Sequence, residues 1–428
     1  MKKRRLNKSV LVIFALSLVI LLGLVLFNTN FSFIGKKSIH EDARTYKTRH
    51  CLAFYPKGEN GLKTAKQICK GVKDDRIFDY TLIPYGDYYQ ISYGGDYRYF
   101  TDKQYNLLKI SEVSDDGKKM ISDYIRYTYK KERPEQYYNA EFLKQLKVEN
   151  IDFSNVTYSI EQEFLKCHVP QHEMDVYVPL KYIQKEINMN FGFPFELYVK
   201  PTYIDTNPEH PIIALTFDDG PQFSYEKGST STERIVNTLY DYDACGTFYV
   251  IGDKLQDRDV WSDYQVYFFL KDSINQGNEY ASHTQTHTYS LTELSLKDDI
   301  YEEINGPIDY MKEFMEYDIK TYRPVSGEFN SSVVEASPVP AILWDIDSED
   351  WYTRDVEEIC AQILNQKLDS GDVLIFHDIY DETASAIEKI VPELVNRGYQ
   401  LVSVSELLKA QNIDIENLKY YYTPNDYE

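Results

Sequence analysis

Apolar positions along this chain follow three different rhythms. The first is one unbroken run, Val10 to Phe27, of 18 uncharged residues. At about 1.5 Å per residue a helix of that length reaches across a bilayer. The second covers residues 31–200, where apolar and polar positions mix and Tyr and Lys are frequent. The pattern there predicts helices over Lys118–Lys131 and Glu141–Leu146. The alternation from Phe153 to Ile160 predicts a half-buried strand, so the region reads as α+β. Pro201, Asn207-Pro208 and Pro211 then break the pattern and mark 201–210 as a linker.

The third rhythm begins at 211. Short, nearly continuous apolar runs, "PIIALTFDD", "CGTFYVIG", "AILWDID", "GDVLIFHD" and "YQLVSVS", alternate with amphipathic stretches such as Thr232–Tyr240 and Ala384–Asn396. Strands without a polar face, separated by helices, imply a parallel sheet or barrel covered on the outside. In such folds the chemistry gathers beyond the C-terminal ends of the strands.

Charge orients the first run. The first nine residues hold Lys2, Lys3, Arg4, Arg5 and Lys8 and no acid, whereas Lys36, Lys37 and Arg44 follow the run. The bias places 1–9 in the cytoplasm and the rest outside. No small-residue cleavage pattern follows Phe27, so 10–27 reads as an uncleaved anchor, with a cleaved signal peptide as the alternative. The whole chain carries a formal charge of −22, which argues against a nucleic-acid partner, since phosphate binding needs clustered Lys and Arg. The five cysteines form no C-x-x-C pair, which excludes a zinc ribbon; Cys51 and Cys69 are a candidate disulfide in an oxidising exterior. Cys167-His168 with His172 reads as core and surface residues rather than a metal site.

Candidate chemistry sits where the strands of the third region end. Asp218-Asp219 closes one apolar run and Gly220-Pro221 breaks it. His283 and His287 are four apart, a spacing that one helical turn would bring to the same side as half of a divalent-metal site. His377 ends another strand; alone, it would read as a buried hydrogen-bonded histidine. Asp347, Asp350 and Trp351 follow a third, offering carboxylates or turn caps and an aromatic face for a sugar. Arg323 stands beside the turn Pro324-Val325-Ser326-Gly327.

In this order and spacing the five segments resemble the polysaccharide deacetylase family, also called carbohydrate esterase family four or the NodB-like domain. The resemblance runs from about Pro211 to Leu408. It rests on T-F-D-D-G at Thr216–Gly220, H-T-x-x-H at His283–His287, the Arg323–Gly327 turn, D-x-x-D-W at Asp347–Trp351, and Ile375-Phe376-His377. It implies a distorted (β/α) barrel at 211–410, α/β in class, behind the α+β region 31–200 and the transmembrane helix. It also implies metal-dependent removal of acetyl groups from glycans.

Position by position, the resemblance implies that Asp219, His283 and His287 hold a divalent ion, usually zinc or cobalt. Asp218 would be the general base, oriented by Arg323, and His377 the general acid, bonded and tuned by Asp347. The Ser326 backbone N–H would stabilise the oxyanion. Trp351 and Ile375 would line the groove, Ile375 against the acetyl methyl. Val325-Ser326 stands where the family often carries an aromatic residue, which changes the groove wall but leaves a main-chain donor in place.

Hydrolysis of an acetamide needs a base for the water and an acid for the departing amine. A carboxylate beside a cation and an imidazole beside a carboxylate supply that pair. An anchored, outward-facing enzyme of this kind is expected to act on acetylated cell-wall polysaccharide, peptidoglycan N-acetylglucosamine first. Poly-N-acetylglucosamine, chitin oligomers and acetylxylan are alternatives. A catalytically silent glycan-binding module is the alternative of another class. Oligomeric state is not addressed by the pattern.

Overall fold

The structure is a computed structural model. It describes residues 38–421 apart from 39, 59, 71, 84–87, 94–95, 104–106, 109–112, 190–192, 194–197, 223–228, 258–261 and 289. The apolar run 10–27 lies outside the described residues. Among the described residues no helix is long and apolar enough to cross a membrane.

The chain divides into two compact units, Met1–Ile121 with Asp152–Glu196, and Ser122–Ile151 with Leu197–Glu428. This differs from the expected split at 201–210, because residues 122–151 belong with the later part of the chain. Within that unit the fully buried Arg126 donates to the Tyr240 carbonyl at 2.7 Å, and Tyr137 Oη donates to Asp243 at 2.6 Å. Lys200 Nζ reaches the same Asp243 at 2.7 Å. Buried charged groups persist only when paired or hydrogen-bonded, so the segment's polar groups hold it in place.

The first unit contains a sheet of Arg44–Lys47, Cys51–Tyr55, Arg76–Leu82, Tyr88–Tyr93, Asp96–Asp102 and Leu107–Leu108, hydrogen-bonded in that order. Cys51–Tyr55 and Arg76–Leu82 run parallel because the helix Gly61–Cys69 carries the chain back between them. A Cys51–Cys69 disulfide ties strand to helix. A second sheet is the antiparallel meander Thr157–Glu161, Phe164–Val169 and Met174–Pro179. The strand expected from Phe153 begins only at Thr157. The Asp152 carboxylate accepts the Ser154 N–H at 3.1 Å and winds Phe153–Asn155 into a 3-10 turn. Cys167 is buried in this meander, and His168 pairs with Asp175 at 2.8 Å.

In the second unit, the parallel strands are β1 (Ile212–Asp218), β2 (Gly246–Val250), β3 (Glu279–Ser282), β4 (Ala341–Ile342), β5 (Ile346–Asp347), β6 (Val373–His377) and β7 (Gln400–Val402). The order β3-β2-β1-β6-β5 is continuous, and β7 pairs with the start of β1. Parallel bridges link Ser282 to Tyr322 and Tyr322 to Ala341. Because β4 and β5 are successive parts of one segment, the pairing closes on itself as an irregular barrel. Apart from the half-buried β5, the strands are buried on both faces over most of their length, and Phe217 stacks between Phe248 (4.9 Å) and Phe376 (5.7 Å).

Helices Ser231–Asp241, Asp263–Asn275 and Val404–Ala410 all start in capping boxes, from Thr230, Ser262 and Ser403. Two sequence expectations change here. "AILWDID" is two short strands, because the Ile342 and Leu343 carbonyls bond the Arg323 guanidinium at 3.0 Å each. Glu279–Ser282, four residues opening on a carboxylate, is a strand that the apolar pattern does not announce.

Candidate active site

The register pairs Asp218, the last residue of β1, with His377, the last of β6. Asp218 is 2% exposed, and its Oδ1 accepts Arg323 Nη1 at 2.7 Å. Arg323 is itself 0% exposed. The same Nη1 also donates to Thr216 Oγ1 at 2.8 Å, and the guanidinium lies 4.1 Å over the Tyr249 ring. Held by four acceptors, Asp218, Thr216 and the Ile342 and Leu343 carbonyls, and by an aromatic face, this cation has one orientation.

Asp219 leaves the strand with φ 72°, a left-handed conformation that Asp tolerates better than most residues. Its carboxylate lies against the two histidines. Lys254 Nζ donates to the Asp219 carbonyl at 2.7 Å. Gly220 is required next, because a Cβ there would collide with the Asp378 carboxylate.

His283 and His287 converge by a route other than the expected helical turn. The chain after β3 is a loop in which Thr284 and His287 both have positive φ, 70° and 55°. Glu303 accepts the N–H groups of Gln285 and Thr286 and the Thr286 hydroxyl, at 3.1, 3.0 and 2.9 Å, and Thr284 Oγ1 accepts the His287 N–H at 3.1 Å. His283 Nδ1 bonds the Arg323 carbonyl at 2.9 Å, leaving Nε2 facing the site. Nε2 of His283 and of His287 lie 3.4 and 3.3 Å from Asp219 Oδ1.

Ligand atoms of Asp219, His283 and His287 all lie within 4.8 Å of one another, and among the described residues they form the group suited to a metal. Two ligands about 2.1 Å from an ion at a tetrahedral angle stand roughly 3.4 Å apart, which the observed spacings match. Asp219 Oδ1 is buried with no hydrogen-bond donor, an arrangement that is costly unless a cation satisfies it. The residues therefore fit a divalent ion with three protein ligands. Burial alone would raise the Asp219 pKa, but the neighbouring His283 imidazole, with the charges of His377 and His287, holds it well below the carboxylate range.

On the other flank His377 Nδ1 bonds Asp350 Oδ1 at 2.7 Å, and Asp350 Oδ2 accepts the His377 N–H at 2.7 Å and the Thr383 hydroxyl at 2.6 Å. This corrects the expectation that Asp347 bonds His377. Asp347 Oδ1 instead accepts the Glu349 N–H at 2.8 Å, capping the turn. Glu349, with φ 54°, then swings the short helix Asp350–Thr353 so that the fully buried Asp350 reaches the imidazole. Burial pushes the His377 pKa down, but the Asp350 bond and charge outweigh it and lift it to about 9.

These groups surround a pocket of ≈ 400 Å³ whose wall includes Asp347, Trp351, Ile375 and Ser326. Ile375 is buried and Trp351 is 53% exposed at the rim. Ser326 has φ 55°; its turn is closed by Gly327 N–H to Pro324 and Glu328 N–H to Val325, so the Ser326 N–H is not used in closing it. All ten expected residues thus meet in one region.

Four contributors were not singled out for these parts. Asp350 lay inside a quoted motif and was given no role. Trp344 and Tyr380 also line the pocket, and each sits within three residues of a quoted strand end. Glu303 carries no local signal, because it lies in the helix Lys297–Met315 that packs behind the loop.

The family described as polysaccharide deacetylase matches residues 205–338. The peptidoglycan-N-acetylmuramic acid deacetylase PdaC of Bacillus subtilis is 33% identical over 212 residues, covering 50% of this chain and 42% of that one. This chain therefore spans less than half of that relative. A solved structure of the Bacillus subtilis protein shows 31% identity over 48% of this chain and 94% of that chain, with a TM-score of 0.42. A peptidoglycan-N-acetylglucosamine deacetylase of Bacillus cereus is 31% identical over 214 residues, covering 47% of this chain and 90% of the relative. With that relative matched over nine-tenths of its length, the chain belongs to the polysaccharide deacetylase family.

Proposed function

We propose that the protein removes N-acetyl groups from cell-wall glycan, with peptidoglycan N-acetylglucosamine as its first substrate, releasing acetate and leaving an amine. The observation that carries the reading is the convergence of Asp219, His283 and His287 around a buried, unpartnered carboxylate oxygen, with Asp218 and His377 flanking it. The names of the Bacillus relatives support the choice of wall glycan. Zinc or cobalt is the proposed ion, suited to a carboxylate and two imidazoles. When bound, it supplies Lewis-acid polarisation of the acetyl carbonyl and makes water more acidic.

The chain's own groups do the rest. Asp218, oriented by Arg323, takes the proton from the attacking water. The Ser326 N–H, outside the bonds that close its turn, donates to the oxyanion that attack creates. His377, kept protonated by Asp350, delivers a proton to the amine nitrogen so that it leaves neutral. Ile375 gives the acetyl methyl an apolar wall, and Trp351 offers a ring face to the sugar.

We further propose a single-pass anchor at 10–27 with the N-terminus in the cytoplasm and both units outside. The charge bias around that run supports it, as does a disulfide in the first unit, a bond that persists in oxidising surroundings. Trimming of intact cells by an added protease would remove both units in this arrangement; full protection would overturn it.

Acetate release by the metal-loaded full-length protein is the decisive assay, using peptidoglycan, poly-N-acetylglucosamine, chitopentaose and acetylxylan. Peptidoglycan is expected to be the fastest substrate, and its finishing last would overturn the substrate. No release from any of them with zinc or cobalt present would leave only the glycan-binding reading.

A further inference from the structure

Stacked on Tyr380, a wall of the pocket, is a cation that the chemistry above does not use. Arg354 ends the short helix Asp350–Thr353 in a left-handed conformation, φ 51°. Its guanidinium carbon lies 3.1 Å from the centre of the Tyr380 ring. Tyr380 is a pocket wall, and its ring is 6.1 Å from that of His377, so one aromatic ring separates Arg354 from the proposed acid.

We propose that Arg354, stacked on Tyr380, is a subsite for a carboxylate carried by the glycan on or next to the acetylated sugar. The inference rests on the deacetylase reading and narrows its substrate to acidic glycans. Three observations support it. First, the guanidinium is available. The Arg354 side chain is 44% exposed, and its ion-pair partner Glu382 stands at 3.7 Å, beyond hydrogen-bond range. An exposed pair at that distance is weak, whereas a carboxylate meeting two parallel N–H groups forms a short, bidentate bond.

Second, the mount is rigid. Asp350, at the start of the same helical turn, is fixed by His377 and Thr383, and stacking on Tyr380 sets the plane of the fork. A substituent held there is held in a constant relation to the imidazole.

Third, charge selects the place. In the metal-loaded pocket the ion and the protonated His377 are matched by Asp218, Asp219 and Asp347, so the floor offers an anionic substituent no net attraction, whereas Arg354 does. Neutral acetylated polymers such as chitin carry no such group. Glycans with a lactyl ether or an attached peptide do, and these two sources share the same ligand chemistry.

The test compares KM values of the full-length metal-loaded protein on glycan strands stripped of peptide, bearing free lactyl carboxylates, and on the same strands with those carboxylates converted to primary amides. The wild type is expected to show an amide-to-acid KM ratio of about ten. Arg354→Gln brings the ratio to about one, and Arg354→Lys, which keeps the charge but not the fork, falls between. A wild-type ratio near ten that Arg354→Gln leaves unchanged overturns the subsite, including the case where all substrates weaken together, as does a ratio of one with no Arg354-dependent preference for peptide-bearing strands.

Peptide-bearing strands form the third arm. A ratio of one on stripped strands with an Arg354-dependent preference for peptide-bearing ones assigns the carboxylate to the stem peptide. Calorimetric binding of the same strands is measured in parallel. Absent acetate release with Arg354-dependent binding would sink the deacetylase reading and keep the subsite, whereas release without Arg354 dependence would do the reverse.

Discussion

The two flanks of the pocket are built on one plan with the charges exchanged. On the Asp218 side the fully buried member is a cation, Arg323, and the group facing the pocket is the carboxylate. On the His377 side the fully buried member is a carboxylate, Asp350, and the pocket-facing group is the imidazole. Each buried ion has its remaining valences satisfied, Arg323 by Thr216 and two carbonyls, Asp350 by Thr383 and backbone N–H groups. A satisfied buried ion cannot turn away from its partner, so the outer group is held in both position and charge. The difference teaches which end of each pair does the work: the one with access to substrate.

The largest effect is expected between adjacent residues on the first flank. Asp219→Ala should lose bound metal, read by elemental analysis, and activity with it. Asp218→Asn should keep the metal and lose about 10²–10⁴-fold in kcat. Equal metal loss in both variants would break the division of labour between the two carboxylates.

Next is Arg323→Leu, which leaves Asp218 buried without its partner. Breaking a buried pair costs about 3–5 kcal/mol, so denaturant unfolding should move to markedly lower concentration. An unchanged midpoint would mean that Arg323 only orients Asp218.

On the second flank, Asp350→Asn removes what lifts His377 to about 9. With the imidazole returned toward about 6.5, its acid form at pH 8 falls about 30-fold, and the alkaline limb of the rate profile moves to lower pH. Asp347→Asn should leave that limb in place; the opposite result would restore the assignment that the sequence suggested. Stability carries the same sign. A histidine whose folded pKa exceeds the unfolded value contributes fully below about pH 6.5 and loses that contribution as pH rises toward 9. Melting temperatures of the metal-free protein should show this decline, and Asp350→Asn should flatten it.

The smallest effect is expected for Ser326→Ala. The proposed oxyanion donor is the main chain, so kcat should change by less than about threefold. A loss approaching the 10²–10³ seen when an oxyanion donor is removed would assign the role to the hydroxyl.

Legibility in the sequence followed burial. β1, β2, β6 and β7 are covered on both faces and therefore read as plain apolar runs. Glu279–Ser282 is equally buried, yet its Glu279 is satisfied by Thr247 and Ser405 from distant segments, so its pattern is not apolar. The helical stretch at 122–151 was readable as helix but not as part of the later unit, because its attachments, among them those to Tyr240, Asp243 and Asn396, are individual bonds to residues more than a hundred positions away. In the site, the clustering of acids and histidines at strand ends was visible. The route that brings His283 to His287 was not.

By itself the sequence determined which groups would stand at the ends of the strands, because an apolar run that stops at a carboxylate or an imidazole has one way to leave a buried sheet. Only the tertiary structure decided which of those groups meet. Asp219, Thr284, His287, Ser326 and Glu349 all take positive φ, and each turns the chain in a direction that no apolar periodicity encodes. The partners so joined, Arg323 with Asp218 and His377 with Asp350, lie 105 and 27 residues apart. Hydrogen bonds of 2.7 Å discriminate between Asp350 and Asp347, where spacing along the chain did not.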